Sequence, residues 1–175
     1  MTTATTAPIT PITPAQKRIA AHLVCGLTNS EIAGKEQLAH DTVKSHIRTM
    51  RQNLRCPQRS SRPVLAHTLL RHAQVSPPPL PAGCGAFEAD EDDQRLIRAI
   101  AEHSRPADIA RAAGMTQRHL RDRANDLAHR AGAADTTHLV ALAHTHGILN
   151  SEGTAATQPP VTAPQEAAVS EGDFQ

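Results

Sequence analysis

Three side chains within five residues, Lys44, Ser45 and Arg48, point to recognition rather than catalysis. On a helix of about 3.6 residues per turn they share one outward side. An ammonium, a hydroxyl and a guanidinium grouped there offer hydrogen-bond donors to base edges and phosphates. Asp41, Gln52 and Arg55 extend the same face. The opposite side carries Val43, Ile47, Met50 and Leu54 at four-three-four spacing, which makes a buried stripe. A short, polar, mostly basic face backed by an apolar stripe suits a helix laid in the major groove of DNA. No Ser/His/Asp set emerges from spacing and no phosphate loop is present, so an enzyme is not expected.

The neighbouring segments supply the helices that would hold this face in place. Thr13-Pro14 opens a helix, because threonine caps and proline is tolerated at the first helical position. That helix is expected from Pro14 to about Cys25, with Ile19, Leu23 and Val24 on one face and Gly26 ending it. Thr28 and Glu31 form a T-x-x-E capping box for a short second helix, about Asn29 to Lys35. The third begins near His40 or Asp41. A fourth is expected over Ser61 to Ala73, with Val64, Leu65, Thr68 and Leu69 inward. From Ile12 to Leu54 the pattern fits a helix-turn-helix without a gap.

Thr13-Pro14, Gly26-Leu27-Thr28-Asn29, Glu31-Ile32-Ala33, Thr42-Val43-Lys44-x-His46 and the closing Leu54 resemble the LuxR-type DNA-binding domain of bacterial transcription regulators. The resemblance runs from about Ile12 to Arg71. It implies that Lys44, Ser45 and Arg48 read bases. It also implies that Thr42, and backbone amides near Asn29 and Ser30, touch phosphates. Arg51, Arg55, Arg59 and Arg62 suit phosphate contact or plain solubilising charge equally well. Two positions depart from the pattern. Glu36 stands where a buried leucine is usual, and Ala39 where a capping serine or threonine is usual. Exposure of Glu36 is favoured over pairing with an arginine, since an unpaired buried carboxylate is too costly for so small a domain.

Adding 77 to these numbers finds a second, divergent copy. Arg18 meets Arg95, Ile32-Ala33 meets Ile109-Ala110, and Leu65-Ala66-His67-Thr68 meets Leu142-Ala143-His144-Thr145. Its helices are expected at about Asp90 to His103, after Ser104 and Pro106, at about Gln117 to Ala131 behind a Thr116 cap, and at Thr136 to Thr145 behind Asp135. Leu120, Ala124, Leu127 and Ala131 would face in. Gln117, Arg118, Arg121, Asp122 and Asn125 would face out, and Gln117, Arg118, Arg121 and Asn125 are the second-copy candidates for DNA. Asp122 on that face weakens the case, because a carboxylate repels phosphate.

The expected architecture is all-α: two tandem four-helix helix-turn-helix modules joined by a Pro/Gly-rich linker. The divisions are a disordered N-terminus over 1–12, a DNA-binding module over 13–74, a linker over 75–88, a second module over 89–149 and a disordered tail over 150–175. The tail is rich in Ala, Thr, Pro and Glu and has almost no large apolar residue. Charge is uneven although the whole chain is only +1. Residues 14–73 carry ten Lys and Arg against three acids, +7; residues 88–149 carry eight Arg against ten acids, −2; the tail carries four acids. A near-neutral chain thus contains one strongly basic module. Five of the second copy's acids lie in the run Glu88-Ala89-Asp90-Glu91-Asp92-Asp93.

Three widely spaced cysteines make neither a disulfide framework nor a metal site, and Cys84 in the linker is expected to be exposed. The eleven His are scattered without a ligand pattern, so neither metal nor cofactor is expected. No apolar run reaches membrane-spanning length and no signal peptide is evident, which suggests a cytoplasmic, nucleoid-associated protein. The expected function is sequence-specific binding of double-stranded DNA in transcription regulation. Only about a dozen residues precede the motif, so no sensor domain of its own is expected. A homodimer or an intramolecular pseudo-dimer would cover two half-sites. The rival expectation is an interaction protein whose sigma-region-like modules dock on RNA polymerase or another regulator.

Overall fold

The computed structural model describes residues 9–57, 59–80 and 87–149. The tail over 150–175, residues 1–8 and Cys84 lie outside the described residues. Among those described there are eight helices and no strand: α1 (Pro14–Val24), α2 (Asn29–Glu36), α3 (His40–Asn53), α4 (Arg62–Arg71), α5 (Glu91–Glu102), α6 (Pro106–Ala112), α7 (Gln117–Arg130) and α8 (Thr136–Thr145). None is long and apolar enough to cross a membrane.

Local chemistry explains most of these boundaries. The Thr13 side chain accepts from the Gln16 amide while Gln16 Oε1 accepts from the Thr13 amide at 3.0 Å, a reciprocal cap on α1. Thr28 and Glu31 do the same for α2, with Thr28 N donating to Glu31 Oε2 at 2.7 Å. That hydrogen bond holds the Glu31 carboxyl below its usual range. Asp90 caps α5 and Asp135 caps α8, Asp135 Oδ1 accepting from His138 N at 2.8 Å. Ala39 leaves α3 with no side-chain cap. Thr116 corrects the expectation of a cap: its hydroxyl meets His119 Nδ1 at 3.2 Å and no side chain caps α7.

The chain builds two apolar cores. Ile19, Leu23, Ile32, Val43, Met50, Leu65 and Leu69 centre the first. Leu96, Ile97, Leu127 and Leu139 centre the second. They are not separate bodies. α4 and α8 pack together more extensively than any other pair, α4 also meets α5, and α8 also meets α1. Ala141 of α8 is fully buried within the first core. Each half's fourth helix starts beside the other half's first turn: Ser61 N donates to Ser104 Oγ at 2.9 Å, and Gly26 faces Ala134, Asp135 and His138. At Gly26 φ is +82°, and an added Cβ would stand 3.1–3.2 Å from those side chains, so the turn favours glycine twice over.

The internal spacing needs one amendment. α5, α6 and α7 start 77 residues after α1, α2 and α3, but α8 starts 74 after α4. The Leu-Ala-His-Thr identity is therefore three residues out of step with the helix starts. At a 74-residue offset the buried set Leu65, Ala66, Leu69, Leu70 falls on Leu139, Val140, Ala143, His144, all buried as well.

The ends are more ordered than expected. Ile12 is buried, Ile9 packs on the first core, and Thr10 N donates to the Asn53 carbonyl at 2.9 Å. Val75 packs there too, and Thr145 Oγ1 donates to the Pro78 carbonyl at 3.1 Å. Residues 9–12 and the start of the linker thus belong to the fold. In the second half, fully buried Asp93 is held by Arg123 and Arg130, each at 2.9 Å. Position 16, its counterpart in the first half, is the neutral Gln16.

His67 and His144 meet across the seam, Nδ1 to Nε2 at 2.9 Å. Burial, with His144 beside it, pushes His67 down to about 4 from its ordinary 6.5. His138, at the same seam, is also pushed down by burial. The unfolded ring takes a proton near pH 6.5 and the folded one does not. The His67 contribution is therefore complete above pH 6.5 and is lost as pH falls toward 4, and His138 acts in the same direction. At about 1.4 kcal/mol per unit, reduced for partial solvent access, the loss from His67 should be roughly 2 kcal/mol. Denaturant unfolding at pH 7 and pH 5 should show this drop, and His67→Gln should flatten it. Equal stability of wild type at both values would refute the assignment.

Candidate nucleic-acid interface

The α3 stripe lies where its spacing requires. Val43 and Met50 are fully buried and Ile47 nearly so, against Leu23, Ile32 and Leu65 of the first core. The opposite face therefore points to solvent. Asp41, Lys44, Ser45, Arg48, Gln52 and Arg55 are all exposed. Lys44, Ser45 and Arg48 are thus brought together on one accessible helical surface. Lys44 Nζ lies 3.5 Å from Asp41 Oδ1, an exposed pair one turn apart that constrains the lysine little.

The phosphate candidates are more varied. Ser30 and Arg55 are exposed, and Thr42 is half-buried. Arg51 is half-buried, with its Nε covered. The Asn29 amide oxygen already accepts from Arg62 Nη1 at 3.0 Å. Arg62 Nη2 also donates to the Leu27 carbonyl. Arg62 is accordingly turned inward, pinning the start of α4 to the start of α2, while Arg59 is exposed. Nothing in local sequence marks that arginine as structural, because both its acceptors lie more than thirty residues away.

Glu36 overturns the favoured exposure. Its side chain is largely covered, and it takes Arg18 Nε at 2.9 Å on one oxygen and His22 Nε2 at 3.0 Å on the other. Those hydrogen bonds, Arg18's first, hold its carboxyl below the usual range. The polar residue at a position usually apolar is tolerated because α1 presents two partners one turn apart.

On α7 the second-copy candidates Gln117, Arg118, Arg121 and Asn125 are all exposed, as is Asp122. Arg123 faces the other way, toward buried Asp93. Among the described residues no group of three or more His, Cys, Asp or Glu is arranged to hold a metal ion.

Residues 10–66 match the model of the bacterial regulatory proteins of the luxR family. This segment is similar to the luxR-family regulators. The match spans α1, α2, α3 and the first half of α4, and so contains the whole basic face of α3. Its helix-turn-helix is that of DNA-binding transcription regulators. Comparison with curated proteins and with solved structures gave no match for the chain.

Proposed function

We propose that the chain is a transcription regulator that binds double-stranded DNA sequence-specifically, with α3 of the LuxR-family domain as its reader. The observation that carries this is the exposed Lys44, Ser45 and Arg48 on a helix whose other side is locked into the core. A reader must be rigid to discriminate bases, and the buried stripe supplies that rigidity. Phosphate contacts come from Ser30, Thr42 and Arg55, and from the amides near Asn29. The protein does no covalent chemistry and works in the cytoplasm on the nucleoid.

The seam favours an intramolecular pseudo-dimer over a chain that dimerises through its second half. α4 and α8, the helices best placed to pair copies, are already covered by each other. α3 and α7 are then two helix faces held on one body, and the α7 face, with Gln117, Arg118, Arg121 and Asn125, makes the weaker contact. The rival role, docking of the acidic lead-in on RNA polymerase or another regulator, loses support. Asp93 is sealed inside by two arginines, and Asp92 pairs with Arg95 at 2.8 Å.

Footprinting of the full chain on genomic duplex fragments tests the proposal. A few discrete protected sites are expected, each occupied by one chain. Log affinity should fall with log salt at a slope of about −4 to −6, as for roughly five or six neutralised phosphates. Affinity indifferent to salt and sequence would refute the DNA reading. Two chains per site would refute the pseudo-dimer.

A further inference from the structure

Where the first half is filled, the second half is hollow. In the first half Ile47 of α3 is buried in the core, and the Arg62 guanidinium fills the space beside the start of α2. The matching residues in the second half, by helix starts, are Ala124 and Thr136, both much shorter. A cleft of about 480 Å³ opens there, with copy-one residues Ser61 and Pro63 forming part of its wall. That volume lies within the range of small-molecule sites, about 300–1,000 Å³.

The lining is amphipathic. Ile100, Ile109, Leu120 and Ala124, with Pro63 and Pro106, make an apolar wall. Arg121 stands exposed at the mouth beside Gln117 and Asn125. No acid is among the lining residues. Ser61 and Thr136 complete the lining, and the Ser61 hydroxyl oxygen is itself covered. One cation, neutral donors and an apolar wall complement a small molecule with an apolar body and one anionic end. They do not complement a cation, which would meet Arg121, or a bare phosphate, which would leave the wall uncovered.

We propose that this cleft binds a small amphipathic carboxylate, its apolar body on Ile100, Ile109, Leu120 and Ala124 and its carboxylate on Arg121. The site shares Arg121, Gln117 and Asn125 with the α7 face proposed above to touch DNA. A bound carboxylate and a duplex would therefore compete for Arg121, whereas binding of the small molecule by itself does not require the DNA reading. The cleft joins both halves, so occupancy would bear on the seam as well as on the α7 face.

The test uses the full-length chain with octanoate and, as the uncharged probe, 1-octanol, followed by amide chemical shifts and calorimetry. Octanoate should shift the signals of Ile100, Ile109 and Ala124 saturably. Arg121→Ala should weaken octanoate about tenfold, the worth of one charged hydrogen bond, and leave octanol unchanged. Ala124→Ile, which restores the first half's residue, should abolish binding of both. Ala124→Val is the milder filling should the isoleucine variant misfold, and should weaken both probes. Unsaturable shifts, shifts centred elsewhere, equal affinity for octanol and octanoate, or undiminished binding by the folded filling variant would each overturn the proposal.

Discussion

Replacing Lys44 and Arg48 together with alanine is expected to abolish sequence-specific duplex binding without unfolding the chain. Both side chains are exposed on α3, and neither belongs to the apolar core. The lysine's ion pair with Asp41 is exposed, and such pairs contribute little to stability. Alanine is also the best helix former, so the helix itself loses nothing. Each good bidentate base contact is worth about 1–3 kcal/mol of discrimination, so removal of two should cost most of the specificity. Non-specific affinity should survive in weaker form through Arg55 and the remaining basic surface, with a shallower salt dependence. Footprinting reads the specificity, and circular dichroism controls for folding. A double variant that protects the wild-type sites at wild-type concentrations would show that α3 is not the reader.

Ala141→Asp should have the largest effect on stability and should damage DNA binding from 93 residues beyond Arg48. Ala141 is a residue of α8 with no exposed surface, yet it belongs to the core of the first half. A carboxylate there has no room and no partner, a change that costs about 4 kcal/mol or more. Small domains have only about 5–15 kcal/mol of net stability, so much of it would go. Because α4 and α8 are shared, both halves should melt together and at lower temperature. Calorimetry should show one transition, displaced downward in the variant. Two transitions in the wild type, or a variant with unchanged DNA affinity, would mean that the halves fold independently.

The legible part of this protein is the part written over short distances. Thr13-Pro14, Thr28 with Glu31, and Asp135 each announce a helix within one turn, and each helix starts where its signal stands. The α3 face follows from the same logic, since burial of Val43, Ile47 and Met50 leaves Lys44, Ser45 and Arg48 outside. Local signals fail where a residue has two uses. Thr116 is a good capping residue by type, but His119 takes its hydroxyl. Ser61 stands at the start of α4 without capping it, and its backbone amide is used across the seam.

Everything that depends on pairing distant residues came from packing. The partners of Glu36 lie on another helix, as do the two arginines around Asp93, and the acceptors of Arg62 lie at Leu27 and Asn29, where α2 begins. Formal charge counted along the chain therefore overstates what solvent sees, for Asp93 is wholly covered and Arg62 mostly spent indoors. The linker composition suggested two modules on a tether, yet α4 and α8 bury their apolar faces on each other. Helix periodicity identifies which side of a helix must be buried, because that depends on residues three and four apart. It carries no information on what covers that side, because the covering residues lie on other helices, for α4 and α8 more than seventy positions away, and are chosen by shape. The basic face of α3 was thus already present in the order of residues 40–55, while the inward arginine arose when α4 packed on the start of α2, and the seam and the cleft beside Ala124 only when the two halves closed on each other.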